Sequence, residues 1–207
     1  MKGRLRIPPT KSALLTLRRQ VTFLEQGHAM LERKRELLTR LVYERLEQYR
    51  KLRTDVGQAL ADAYRWLGIA HMRMGGTMLR QTALGLNPAL RVDILPRSSI
   101  GVEYPAVTTE LLPLQPVGLM WTDASFDETR SRLARAAELL ARLGEAETAL
   151  WRLLAEQRKT QKRVNALKYN IIPRYRSTIR YIQSVLEEDE RNTLFQIKVL
   201  RARDEEA

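Results

Sequence analysis

Cysteine is absent from the 207-residue chain, and histidine occurs only as His28 and His71. The lack of cysteine excludes a disulfide framework and a thiolate metal site, and it fits a reducing, cytoplasmic environment. The two histidines lie far apart on the same predicted helix, without the paired spacing of a zinc site or a general base. We therefore expect no catalytic residues and no metal.

Long apolar runs and phosphate-binding loops are also missing. The most apolar stretch, residues 111–121, is short and contains two prolines and a glycine, whereas a transmembrane helix needs about 18 apolar residues. The basic residues Lys2, Arg4 and Arg6 are not followed by the apolar run of a secretory signal. The glycines lack P-loop and dinucleotide spacing. We expect no direct membrane insertion and no bound cofactor.

Acidic residues are fewer than basic ones. The chain has 24 Asp and Glu against 36 Lys and Arg, a net charge of +12. This excess favours an acidic partner, which could be nucleic acid, an anionic membrane surface or an acidic protein surface. The acidic run at residues 187–190 points around a helix instead of converging, so we interpret it as a solvated or salt-bridged face.

A long helix is predicted from Thr10, its N-cap, to the glycine pair in residues 72–77, followed by a short helical piece at residues 77–84. Its apolar positions repeat every seven residues, which is the pattern of a coiled-coil seam. One column contains Leu17, Leu24, Leu31, Leu38, Arg45, Leu52, Ala59 and Trp66, and the other contains Leu14, Val21, His28, Arg35, Val42, Tyr49, Val56, Ala63 and Ala70.

A second long helix is predicted from a capping box formed by Ser125 and Glu128, with Asp123 as an alternative cap. Pro173 interrupts the pattern without ending it, which predicts a kink and a continuing helix. Asn165 lies beside the seam and could fix its register. The apolar stripe contains Leu133, Ala136, Leu140, Leu143, Leu150, Leu154, Val164, Ile171, Tyr175, Ile182, Val185, Phe195 and Val199.

The segment between the helices is rich in proline, and its alternating residues predict a β-hairpin. Val92 and Ile94 precede a turn predicted at residues 96–99, and Val102 and Tyr104 follow it. A lone hairpin is marginal in water, so it must pack on the helices or on another protein.

The fold class predicted is therefore mainly α: a long antiparallel two-helix coiled coil with a small middle region. Residues 1–74 form the N-terminal helix, residues 75–122 the middle region and residues 123–207 the C-terminal helix, in one structural unit. The matched lengths of the two helices favour the antiparallel arrangement. From the residues alone, this is a basic coiled-coil hairpin of unknown partner, with Lys2, Arg4, Arg6, Lys11, Arg18 and Arg19 at one tip. The alternative function is a basic coiled-coil adaptor or a nucleic-acid-binding protein. Because no aromatic residues are interleaved with these cations, we expect no nucleic acid among the partners.

Two sets of residues resemble the signatures of the D subunit of the V-type and V/A-type rotary ATPases. Residues 9–15 begin the N-terminal set, which continues with Gly27, Leu31, Lys34, Arg35 and Leu37. The C-terminal set contains Thr160, Arg163, Val164, Asn165, Ala166, Leu167, Ile172, Pro173, Thr178, Ile179, Tyr181 and Ile182. Lys168 stands where many relatives are acidic, and Asn170 stands where they are apolar.

This resemblance implies a non-catalytic central shaft of a prokaryotic complex, which is cytoplasmic and peripheral to the membrane. The shaft transmits torque between a ring of catalytic A and B subunits and the ion-translocating membrane sector, with the F and C subunits as further partners. We expect the ring to contact Lys11, Arg18, Arg19, Leu194, Lys198 and Arg201. We expect the F subunit to contact Val92, Ile94, Val102 and Tyr104.

Overall fold

A computed structural model describes residues 4–118 and 122–205, and it is mainly α, as predicted. The elements follow in the order α1 (Lys11–Met74), α2 (Gly76–Leu84), β1 (Leu90–Ser99), β2 (Val102–Leu111), α3 (Ala124–Ala166), a π-helical turn (Leu167–Ile171) and α4 (Ile172–Glu205). Two compact units are present. We call residues 1–37 and 158–207 the terminal unit, and residues 38–157 the central unit.

In the terminal unit, the start of α1 packs antiparallel against α4. Lys11 Nζ lies 2.8 Å from a carboxylate oxygen of Glu190, and an Arg176 guanidinium nitrogen lies 2.6 Å from Glu25. Partner numbers fall along α4 as they rise along α1, which fixes the antiparallel direction. The buried side chains of this unit include Leu17 and Val21 of α1, Thr160 and Val164 of α3, and Ile172, Thr178 and Ile182 of α4.

In the central unit, the rest of α1 packs antiparallel against α3 and the hairpin covers them. Arg132 lies 3.0 Å from Asp62, and Arg73 lies 2.9 Å from Asp123. The buried core residues Leu38, Val102 and Leu153 come from α1, β2 and α3. The hairpin is therefore part of this unit's core, which meets the predicted need for a packing partner.

The helix ends agree with the predicted boundaries, and one predicted cap is wrong. Thr10 Oγ1 accepts a hydrogen bond from the Ala13 N–H at 3.1 Å, as expected of an N-cap. Helix α1 ends before Gly75, whose φ of 79° few other residues adopt. At the start of α3 the capping box is not formed, because Ser125 lies inside the helix and donates to Asp123 at 2.7 Å.

Glu128 is engaged elsewhere, by Arg132 at 2.8 Å. The alternative cap, Asp123, directly precedes Ala124, the first residue of α3. Its carboxylate accepts from Ser125, and its carbonyl accepts from the Phe126 N–H at 2.8 Å. Asp123 therefore satisfies backbone donors at the start of α3.

The helix continues through Pro173, as predicted, and the irregularity lies just before it. In the π-helical turn, the Ile172 N–H donates to the Leu167 carbonyl five residues back. A π-helical turn accommodates one extra residue, so the buried side chains on either side, Val164 and Ile172, are eight residues apart and not seven. The chain thereby absorbs the missing N–H of Pro173 without ending the helix.

Part of the predicted stripe of the second helix is wrong. Leu133 and Leu140 are exposed, and Leu153 is fully buried where Leu154 was expected in the core. Phe195 and Val199 are also exposed, because Lys11 begins α1 and already pairs with Glu190. Apolar periodicity identified a helix face here, but it did not show that the partner helix had ended.

The hairpin is present, but its predicted turn at residues 96–99 is wrong. The strands pair from Leu90 with Leu111 to Ser99 with Val102, so the turn is the two-residue loop Ile100 and Gly101. Pro96 is directly opposite Pro105. Both lie at positions whose backbone points away from the partner strand, so neither removes a ladder hydrogen bond and the strands continue past them.

Candidate interaction surfaces

The first surface lies in the terminal unit, where the start of α1 meets α4. Lys11 and Arg18, two of the predicted ring contacts, line a groove there together with Leu14, Leu15, Gln183, Leu186, Glu187 and Glu190. The hydrogen bond between Lys11 and Glu190 raises the pKa of Lys11 and lowers the pKa of Glu190, and their charge attraction adds to both shifts. Arg19 is exposed and does not line the groove.

Beyond Glu190, all described side chains of α4 are exposed, from residue 191 to residue 201. The predicted contacts Leu194, Lys198 and Arg201 belong to this segment. Phe195, Ile197 and Leu200 were not among the predicted contacts, and they leave large apolar surfaces in solvent: Phe195 is 67% exposed and Leu200 60%. A cluster of this kind beside cations marks an interaction site.

The charge excess is concentrated in one unit. The terminal unit contains 21 Lys and Arg against 10 Asp and Glu, whereas the central unit contains 15 against 14. The terminal unit thus carries +11 of the net charge of +12. From residue 157 to residue 186 the sequence has no acidic residue. We call the exposed cations of residues 158–168 the basic belt: Arg158, Lys159, Lys162, Arg163 and Lys168.

The second surface is the hairpin. Of the four residues predicted to contact the F subunit, two are exposed and two are buried. Val92 and Ile94 are exposed on β1, and Ile94 leaves 65% of its surface in solvent. Val102 is buried against Leu38 and Leu153. Tyr104 is also buried, and its hydroxyl lies 3.4 Å from an Arg45 guanidinium nitrogen. Only the first pair is therefore accessible to a partner.

The C-terminal signature surrounds the π-helical turn. Val164 is buried, whereas Arg163, Asn165 and Ala166 are not. Asn165 accepts a hydrogen bond from Gln161 in the same helix at 2.8 Å, so its observed bond is local and does not fix register with α1.

The signature contains a buried threonine hydroxyl, at Thr178, whose role the sequence did not predict. Thr178 donates to the Arg174 carbonyl at 2.8 Å and accepts the Leu5 N–H at 3.1 Å. Arg4 stacks on the ring of Tyr181, with the guanidinium carbon 4.5 Å from the ring centroid. The N-terminal segment is therefore bound along α4.

Within residues 4–118 and 122–205, no three acidic or histidine side chains are grouped so that they could hold a metal ion. In the same residues, no helix combines the length and the apolar character needed to cross a membrane. The surfaces described above are built from helix faces and a strand edge.

Residues 13–202 match the family model described as the D subunit of ATP synthase. The chain belongs to the ATP synthase D-subunit family. It is 32% identical to the D subunit of the A-type ATP synthase of Pyrococcus furiosus over 202 residues, which cover 96% of this chain and 94% of that relative. It is 35% identical to the D subunit of the V-type ATP synthase of Thermotoga neapolitana over 196 residues, covering 94% and 97%.

A third member of the family, the D subunit of the A-type ATP synthase of Methanosphaera stadtmanae, is 33% identical over 199 residues, or 94% of this chain and 93% of that protein. The resemblance given by the two signatures is thus confirmed over nearly the whole chain. As a member of the D-subunit family, the chain is a subunit of a rotary ATPase.

Proposed function

We propose that this subunit is the central shaft of its ATPase and that it transmits torque between the catalytic A and B subunits and the membrane sector. In this role it is non-catalytic, cytoplasmic and peripheral to the membrane. The observation that carries the proposal is the presence of a different contact surface in each unit: a cationic, apolar helix end in the terminal unit and a neutral strand edge in the central unit. A shaft needs distinct surfaces and a stiff helix pair more than a reactive group.

The terminal unit is the proposed contact for the ring of A and B subunits. Its exposed apolar residues Phe195, Ile197 and Leu200 supply area that can be buried in a ring, and Lys11, Arg18, Arg19, Lys198 and Arg201 supply cations. Burial of exposed apolar groups contributes most of the binding affinity, whereas the surrounding charges govern the association rate and the choice of partner. This combination supports a ring contact lined by acidic and apolar residues.

The central unit is the proposed contact for the F subunit, through the exposed side of β1. Val92 and Ile94 lie in solvent, and the turn presents Ile100 in the left-handed backbone region at φ 53°. A β-branched residue rarely adopts this region, and here the two-residue turn imposes it. The C subunit, at the membrane sector, is proposed to contact the end formed by α2, where Leu84 is exposed.

Two pairs of substitutions test the assignment. Phe195→Ser with Leu200→Ser should weaken binding to a preformed A and B ring about 10-fold or more and leave binding of the F subunit unchanged. Val92→Ser with Ile94→Ser should do the reverse. Leu95→Ser is a matched control, because Leu95 is as exposed as Ile94 and lies on the other face of the hairpin.

Pull-downs with the purified ring and with the F subunit would measure the two binding activities separately for each variant. If either pair of substitutions abolished both contacts, the two surfaces would not be separate and the proposal would fail. Strong, salt-sensitive binding of duplex DNA without affinity for the ring would favour the nucleic-acid-binding alternative.

A further inference from the structure

The outer edge of β2 lies along α3 and takes hydrogen-bond partners from that helix. The Val107 N–H donates to a carboxylate oxygen of Glu145 at 3.0 Å, and the Glu103 carbonyl accepts from Arg152 at 2.8 Å. An acidic side chain thus meets a backbone donor, and a basic side chain meets a backbone acceptor. These side chains occupy the place that a neighbouring strand would take in a larger sheet.

The α3 residues that reach β2 are spaced seven residues apart. Glu138, Glu145 and Arg152 therefore share one face of the helix. On the strand, residues 103, 107 and 109 alternate with the residues whose backbone groups pair with β1, so they share the outer edge. The third contact joins the Thr109 hydroxyl to Glu138 at 3.4 Å. One helix face and one strand edge are thus matched at three points.

The contacts made by the two glutamates lie where the buried part of the hairpin ends. Among the ten residues of β2, all of them described, only Val102 and Tyr104 are buried, and both lie near the turn. Farther from the turn the strand is half-buried or exposed. Burial of apolar surface therefore holds β2 at one end, and the hydrogen bond from Val107 to Glu145 holds it beyond that end.

Val107 and Thr109 are also the residues directly opposite the proposed contact with the F subunit. Ile94 pairs with Val107, and Val92 pairs with Thr109. Opposite residues of antiparallel strands lie roughly 5 Å apart, so a movement of β2 on α3 carries its partners on β1 with it. Glu145 thus acts on the exposed side of β1 through Val107.

We propose that Glu145 is a positioning residue for the contact between β1 and the F subunit. It holds the second half of β2 on α3, so that Val92 and Ile94 are presented in a fixed position. This inference rests on the proposed function of β1. A partner that meets a pre-positioned strand does not have to order it, so it binds more tightly than it would to a mobile one.

Three substitutions at Glu145 separate the hydrogen bond from the charge. Glu145→Gln keeps the length and an acceptor oxygen but removes the charge. Glu145→Asp keeps the charge but is shorter by one methylene group, and Glu145→Leu has no acceptor. We expect the F subunit to bind Glu145→Gln within about 3-fold of the wild type, and to bind the other two variants about 5-fold more weakly or worse.

Backbone amide exchange in the full-length chain tests the cause. The Val107 amide should exchange about 10-fold faster in Glu145→Asp and Glu145→Leu than in the wild type. The Thr108 amide points towards β1 and should stay protected, because the strands remain paired. Loss of protection at Thr108 as well would mean that Glu145 keeps the hairpin folded instead of positioning it on α3, and that result overturns the inference.

Glu147→Leu is the matched control. Glu147 is exposed, and it lies two residues from Glu145 along α3, which places it on the opposite side of the helix. Removal of this charge should leave binding of the F subunit unchanged. Tight binding of Glu145→Asp together with weak binding of Glu145→Gln would show that charge matters and the hydrogen bond does not. That result, or equal binding by every variant, overturns the inference.

Val92→Ser with Ile94→Ser separates this inference from the proposed function. If that pair leaves binding of the F subunit unchanged, the proposed contact on β1 is wrong and the inference fails with it. If the pair weakens binding and Glu145→Leu does not, only the inference fails. When both weaken it, the combined variant should lose less affinity than the product of the separate losses, because both act on one contact. Losses that multiply would mean that Glu145 acts elsewhere, which overturns the inference.

Discussion

Thr178 connects the N-terminal segment to α4 with a hydroxyl group that is buried in the terminal unit. The hydroxyl donates to the Arg174 carbonyl and accepts from Leu5, so both of its hydrogen-bonding roles are used. A valine has nearly the same shape but leaves the Leu5 N–H without its acceptor.

We predict that Thr178→Val releases the N-terminal segment while the helices stay paired. Hydrogen exchange at the Leu5 amide should accelerate about 5-fold, which corresponds to the loss of a hydrogen bond of about 1 kcal/mol. Thr193→Val is the control, because Thr193 is exposed and bonds only to the Asp189 carbonyl in its own helix. Equal exchange at Leu5 in both variants would show that Thr178 does not hold the segment.

Asp123 makes the stability of the helix start depend on pH. Hydrogen bonds from Arg73 and Ser125 lower the pKa of Asp123 from 3.8 to about 2. A carboxyl whose pKa is lower in the folded state stabilises that state above its unfolded pKa, and this contribution is lost as the pH falls through the folded value. The relevant window therefore runs from about pH 4 down to about pH 2.

We predict that Asp123→Asn lowers the Tm by about 1 to 4 °C at pH 6, and that the difference from the wild type shrinks as the pH falls from 4 towards 2. Thermal unfolding followed by circular dichroism would measure both. Asp127→Asn is the control: Asp127 lies in the same helical turn but only approaches Arg130, at 3.5 Å. A difference that is constant across this pH range would exclude ionisation of Asp123 as the cause.

At the scale of the element, the hairpin turn is strained at Ile100. Ile100 and Gly101 have φ values of 53° and 73°, the pattern of a type I′ turn, in which Asn followed by Gly is preferred. We predict that Ile100→Asn raises the free energy of unfolding by about 1 kcal/mol, since a β-branched residue is disfavoured in this backbone region. Urea unfolding would measure it. An unchanged or lower stability would mean that packing of Ile100 compensates for the strain.

Two glycines inside the long helices have room for a larger side chain. A Cβ added at Gly57 in α1 or at Gly144 in α3 meets no atom within 4 Å. Alanine at either site should raise the free energy of unfolding by about 0.5 to 1 kcal/mol, because it restricts the unfolded chain.

Gly75→Ala is the matched control, and it should lower stability, because φ at Gly75 is 79°. Denaturant midpoints of the three variants would distinguish the cases. If Gly57→Ala and Gly144→Ala destabilised the chain as much as Gly75→Ala does, the effect of alanine would not follow backbone conformation.

The sequence predicted both ends of α1 from local signals, whereas the local capping signal at the start of α3 was wrong. Thr10 and the glycine pair gave the ends of α1, because caps and left-handed residues act within one turn of a helix. The turn of the hairpin was misplaced because Pro96 commonly ends a strand, and only the pairing with Pro105 shows why it does not. The buried position of Tyr104 could not be predicted, since it depends on Arg45, which is distant in sequence.

For the candidate surfaces, periodicity predicted which residues share a face but not whether that face is covered. Phe195 continues the apolar stripe of the second helix, yet α1 begins at Lys11 and provides nothing to cover it. The same exposed residues that made the packing prediction wrong now form the proposed ring contact. Family membership could be recognised from the signatures, because residue identity and order are read from the sequence without knowing which faces are covered.

At the scale of the whole molecule, the net positive charge lies almost entirely in the terminal unit. The terminal unit carries a net charge of +11 and the central unit +1, although both contain many charged residues. Cations on a partner-facing surface accelerate association with an acidic partner, and salt screens this effect with a Debye length of about 10 Å at 0.1 M. The basic belt should therefore govern how fast the terminal unit associates with the ring.

We predict that Lys162→Glu with Arg163→Glu slows association with the A and B ring about 10-fold at low salt, and that the difference from the wild type narrows as salt is raised. Arg50→Glu with Arg53→Glu changes the net charge equally on exposed residues of the central unit and serves as the control. Stopped-flow or surface-based kinetics with the purified ring would measure the rates. Equal slowing by both variants would show that only the net charge matters. Slowing confined to the belt variant would instead locate the electrostatic contact on the terminal unit, because both variants alter the net charge by the same amount and differ only in where the change lies.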